Sequence, residues 1–214
     1  MNVCDYLSSL LGDPTYFLNR YLLNIGNLDN EKGERKIECQ FAMANFETNG
    51  KKEFEIALAG KNRTDFETCG KTFLAYYLPM IDYKNYQIHN FMYGSEFAKP
   101  NSSQIDLYPR IVLTPKLSGC TIAFQKQKRK DAPLACHFEP NGSVGNNGAK
   151  MNKQMVECPK PFRSGSSDDV EFYGKCNYGS FGGANFLMVY NNKSWSVLAQ
   201  EINAEKDIRV VRLG

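Results

Sequence analysis

The feature that most constrains this chain is a pair of apolar runs joined by Asn-Gly. From Lys36 to Phe46 apolar side chains recur at every second position (Ile37, Cys39, Phe41, Met43). After Thr48-Asn49-Gly50 comes a second apolar run, Phe54 to Leu58. Period two is the signature of a strand with one face in a core, and Asn-Gly supplies the two positive φ angles of a tight hairpin turn. Further runs of strand character follow at Thr72–Leu78 (ended by Pro79), Ile105–Leu113, Thr121–Phe124, Leu134–Phe138, Val170–Lys175, Asn185–Tyr190, Trp195–Gln200 and Ile208–Leu213. Tyr83 to Tyr93 is open between strand and irregular structure. Asn185–Tyr190 is almost continuously apolar, as a central strand is, whereas Ile208–Leu213 reads as a closing edge strand with its arginines outward. About nine strands with few helices predict an α+β fold: a β-rich two-sheet sandwich core with a few peripheral helices.

Those helices are expected at the N-terminus. Apolar residues over 3–25 are spaced for two short amphipathic helices broken at Gly12-Asp13-Pro14, with Asp13 as N-cap and Pro14 at the first helical position. This N-terminal helical segment (1–30) is expected to pack on the sheet; a docking or targeting appendage is the alternative. The stretch 140–169, dense in Gly and Asn, reads as a long flexible insertion, either a flap over a site or a surface loop. The 214 residues suit a single domain.

Composition narrows the function classes. A net charge of +3 with balanced acids and bases argues against a nucleic-acid binder. The seven cysteines form no C-x-x-C pair, so neither a metal site nor any other cofactor is expected; the chain is also large enough to need no disulfide scaffold, and reduced thiols are predicted. No cationic region followed by an apolar core opens the sequence, so no signal peptide is read, and no run is long enough for a membrane span.

The candidate chemistry lies between Thr114 and His137. Cys120 follows a Leu-Ser-Gly turn, Thr114 stands six residues before it, and His137, one of two histidines, stands seventeen after it. A thiol becomes a nucleophile as thiolate, and an imidazole is the usual base. A tight hairpin on Lys128-Arg129 would oppose residues summing to 257, placing Cys120 opposite His137; a longer loop through Asp131 and Pro133 would shift that register. Gly119 and Ser118 form the turn, and backbone amides at Gly119-Cys120 are candidates for an oxyanion site. Thr114 would hold the second imidazole nitrogen. His89, the other histidine, reads as structural, Trp195 as core, and Asp168-Asp169 as uninvolved in acid–base work.

The Thr, the Leu-Ser-Gly-Cys motif and the downstream His resemble the glutamine deamidases of the cytotoxic necrotizing factor and Burkholderia lethal factor type. The chemoreceptor glutamine deamidases share the order and very similar spacing. A looser similarity covers Tyr76-Tyr77-Leu78-Pro79-Met80. The resemblance implies a necrotizing-factor-like fold, Cys120 as nucleophile, His137 as base and Thr114 as orienting residue. It also implies a secreted bacterial effector, a monomer, acting in the host cytoplasm on a regulatory protein such as a Rho-type GTPase or a translation-initiation RNA helicase.

Other readings stay open. The same Cys-His pair would serve a transglutaminase or a cysteine protease, and the readings without chemistry are a plain buried thiol at Cys120 and a non-catalytic adaptor for a host protein. Lys128, Arg129 and Lys130 form either a solvated turn or a substrate-docking patch. A catalytic Cys120 of low pKa is expected to react selectively below pH 7.

Overall fold

In a computed structural model the described residues are 1–26, 28, 36–61, 63–83, 109–125, 135–140, 146–157, 170–191 and 194–213. The chain is α+β and consists mostly of strands, in two sheets. Helices α1 (Val3–Gly12) and α2 (Pro14–Arg20) come first, then β1 (Leu22–Ile25), β2 (Lys36–Thr48), β3 (Lys51–Leu58), β4 (Phe66–Tyr77), β5 (Met80–Asp82) and β6 (Ile111–Leu113). After them follow β7 (Thr121–Gln125), β8 (Ala135–Glu139), α3 (Asn146–Glu157), β9 (Val170–Tyr173), α4 (Lys175–Tyr178), β10 (Ala184–Asn191), β11 (Ser194–Ile202) and β12 (Ile208–Arg212). The large sheet runs β1-β3-β2-β4-β6-β10-β11-β12 and the small one β5-β8-β7-β9.

Local chemistry accounts for the expected elements. Asn49 and Gly50 take φ of 50° and 69° between β2 and β3, as a primed hairpin turn requires. Asp13 caps α2 by accepting from the Tyr16 N–H at 3.0 Å, with Pro14 next in the helix. The helical pattern overreaches at its end: Leu22–Ile25 is a strand, parallel to β3, rather than helix. Its apolar residues serve the same core from extended backbone. Its outer edge is completed by side chains, because the Leu23 N–H donates to Gln200 Oε1 at 2.9 Å and the Leu23 carbonyl accepts from Asn185 Nδ2. Two buried amides from β10 and β11 thereby satisfy backbone groups of a strand at the opposite end of the large sheet, which bends that sheet around its core.

Three apolar layers result. One face of the large sheet packs with α1 and α2, through Tyr6, Leu10, Phe17, Phe41 and Phe54 among others. The other face, with Tyr76, Val112, Phe186 and Met188, meets Ile122, Phe124 and Ala135 of the small sheet. The small sheet's far side, with Ala123, Cys136 and Phe138, is covered by Met151 and Met155 of α3. That helix lies inside 140–169. So Asn146–Glu157 is ordered secondary structure within the stretch read as a flexible insertion, and Met151 and Met155, one turn apart, are what hold it down. The rest of that stretch, apart from Pro140, lies outside the described residues.

The reduced-thiol expectation fails for one pair. Cys4 of α1 and Cys69 of β4 form a disulfide with Cα atoms 5.0 Å apart, across 65 residues of sequence. Among the described residues, Cys39, Cys120 and Cys176 carry free thiols. Closing a loop of this length restricts the unfolded chain and contributes about 2–4 kcal/mol. Reduction is therefore expected to lower Tm by roughly 4–16 °C. Differential scanning fluorimetry with and without reductant measures it; a shift under about 2 °C would count against the bond.

Candidate functional site

Between the sheets, β6 delivers Thr114 and β8 delivers His137. Both side chains are fully buried. Thr114 Oγ1 lies 2.7 Å from the Leu78 carbonyl oxygen and 2.6 Å from His137 Nδ1. A hydroxyl has one hydrogen. The carbonyl can only accept, so that hydrogen goes to Leu78, and Nδ1 must be the protonated nitrogen donating to Oγ1. The other nitrogen, Nε2, is then the basic one. It is buried, with no hydrogen-bond partner among the described residues. Leaving such an acceptor unmade costs about 1–3 kcal/mol, and a catalytic role is one reason a fold retains such an atom. Leu78 comes from the Leu-Pro segment noted in the sequence, and its N–H is tied to the Leu113 carbonyl at 2.9 Å.

Cys120 reaches this site in a register two residues from the expected one. His137 opposes Ile122, so partners sum to 259 rather than 257, and Cys120 precedes the first paired residue of β7. The loop between the two strands, 126–134, lies outside the described residues. A slip of two preserves the face, whereas a slip of one would have reversed it. Cys120, Ile122 and Phe124 consequently line the inter-sheet layer with Ala135. His137 points there too, since its neighbours Cys136 and Phe138 point to α3. Cys120 and His137 become diagonal neighbours, which in a regular ladder sit within about 7–8 Å.

The turn before Cys120 is held from three sides. Leu117 exchanges two backbone hydrogen bonds with Ala184 of β10, at 2.8 and 3.0 Å. Tyr178 Oη accepts from the Gly119 N–H at 3.0 Å and donates to the Cys120 carbonyl at 2.9 Å. The third side is α3, where Gly148 lies so close that a Cβ on it would stand 2.2 Å from the Gly119 carbonyl oxygen. Gly148→Ala is thus expected to push that turn or the helix away, costing about 1–3 kcal/mol. Thermal melting and the labelling rate of Cys120 would show it. An unchanged protein would mean the contact is loose.

One expectation about the turn is corrected here. The Gly119 amide is spoken for by Tyr178, so it is not an open oxyanion donor. Ser118 is exposed, and its backbone amide hydrogen-bonds the thiol instead.

Electrostatics set the resting state. Cys120 is 7% exposed; burial pushes its thiol up to about 11, against the Ser118 hydrogen bond, and the Glu139 carboxylate adds to the rise. Burial alone pulls His137 down to about 3. At pH 7 the pair is a thiol and a neutral imidazole, so a Cys120 reactive below pH 7 is not what this environment makes. Proton transfer between the two in the resting protein is uphill.

A cleft of about 460 Å³ opens elsewhere, lined by Tyr173, Asn177, Glu201 and Arg209 among others, and it includes none of Thr114, Cys120 and His137. Trp195 is core, as expected. His89, Asp168, Asp169, Lys128, Arg129 and Lys130 lie outside the described residues. Tyr178 and Gly148 carry no sequence signal linking them to Cys120, from which they are 58 and 28 positions distant. No protein-family model and no curated protein matches the chain.

Proposed function

We propose that the protein is a protein-glutamine amidohydrolase with Cys120 as nucleophile, His137 as base and Thr114 as the residue that orients it. The observation that carries this reading is the Thr114–His137 contact, which puts the proton on Nδ1 and leaves Nε2 bare on the face that Cys120 shares. In the reaction, Sγ bonds to the side-chain amide carbon as its proton passes to Nε2. The oxyanion is received by the Cys120 amide, since Gly119 is committed. Collapse breaks the C–N bond, and Nε2 returns the proton to the departing ammonia. Water then loses a proton to Nε2 and adds to the thioester carbon; the sulfur leaves and recovers that proton. The sum is glutamine plus water giving glutamate plus ammonia.

The resemblance supports a folded regulatory protein of a host cell as substrate, met by a secreted bacterial effector in the host cytoplasm. Peptide mapping of a host-cell lysate treated with the protein tests this. A glutamine gaining 1 Da is expected; peptide-bond cleavage, or an amine-sized gain, would replace the reading with protease or transglutaminase chemistry.

A further inference from the structure

We propose that Tyr178 is a positioning residue, whose single hydroxyl clamps the turn that presents Cys120. This rests on the reading of Cys120 as nucleophile. The hydroxyl bridges two successive residues, accepting from the Gly119 N–H and donating to the Cys120 carbonyl. Those bonds straddle the Gly119–Cys120 linkage, and so restrain the backbone that sets the direction of the Cys120 Cα–Cβ bond. Gly119 would otherwise be the softest point in the turn. Both roles of the hydroxyl are used, so Tyr178 has no proton left to give to a substrate and acts only through Cys120.

The ring is itself fixed. It is fully buried, lies 5.8 Å from the Tyr173 ring centroid-to-centroid, and has Lys175 Nζ 5.6 Å from its centroid. The residue before it, Asn177, accepts from the Gly174 N–H at 2.9 Å, and its carbonyl accepts from Arg209 at 3.2 Å. A rigid anchor of this kind, reaching across to a neighbouring loop, is what holding a nucleophile in one rotamer needs.

The test is Tyr178→Phe, which keeps the ring and removes the hydroxyl, read by peptide-resolved iodoacetamide labelling and by deamidation kinetics. Cys120 labelling is expected to rise about tenfold as the turn loosens, with Cys39 and Cys136 still protected. At the same time kcat is expected to fall about 10–100-fold with KM little changed. Cys120 labelling within twofold of the parent overturns the clamp, and faster labelling with unchanged kcat overturns its role in positioning. Should Cys39 and Cys136 label as well, the variant has unfolded, and amide exchange of Gly119 in the parent protein decides: protection supports the clamp and free exchange rejects it. Faster labelling in a protein that deamidates nothing, before or after substitution, keeps the clamp and removes the glutamine reading.

Discussion

Cys120→Ala is expected to abolish ammonia release and the 1 Da gain on the substrate, with a loss on the order of 10⁴-fold or more in kcat/KM, because on the proposed reading no thioester forms without the sulfur. Cys120→Ser falls nearly as far, since the imidazole must then deprotonate a much weaker acid. Stability moves little by comparison. The sulfur belongs to an apolar layer with Ile122, Tyr173 and Tyr178, and deleting it costs about 1–2 kcal/mol, seen as a few degrees in Tm. The parent protein carries a companion signature. A thiol pushed up to about 11 is labelled faster as pH rises through 8, 9 and 10, with no plateau near neutrality. An alanine variant that retains activity within tenfold, while folded, would dismiss Cys120 as nucleophile.

How much of this was legible beforehand depended on the range of the interaction. Asn49-Gly50 and Asp13-Pro14 act over two or three residues, and both behave as their dihedral preferences dictate. The alternating runs were legible because burial on one face imposes period two. Ile208–Arg212 lies at the edge of the large sheet, and its residues are exposed or half-buried. The three candidate residues were legible as types and spacings, and Thr114 and His137 do meet. Their register was not, because it is set by a loop whose length no pairing rule fixes. Its two-residue offset left the face of Cys120 unchanged. What stayed hidden came from distant chain. Leu22–Ile25 is a strand because β3 and the amides of Gln200 and Asn185 receive it. Cys4 finds Cys69 because α1 packs against the large sheet, and disulfide connectivity cannot be read from spacing. Tyr178 and Gly148 touch the Cys120 turn only once the sandwich has closed.

His137→Gln should cost about 10³-fold or more in kcat while altering how the protein responds to acid. A buried imidazole held down to about 3 is neutral when folded, but in the unfolded chain it titrates near 6.5. Between those values the unfolded state binds the extra proton, so acid favours unfolding. This contribution is fully present above about 6.5 and is lost as pH falls towards 3, at up to about 1.4 kcal/mol per pH unit. Glutamine cannot take up that proton. Urea melts of the two proteins at several pH values from 7 to 4 should therefore converge as pH falls, with the histidine protein losing stability faster. Thr114→Val supplies the complementary case. It deletes the acceptor for Nδ1–H, unpins the tautomer and lowers kcat about 10–100-fold without removing the base. Parallel stability curves for parent and glutamine proteins would show that the imidazole is hydrated rather than sealed between the sheets. A valine variant of full activity would show that Nε2 is kept basic by something other than Thr114.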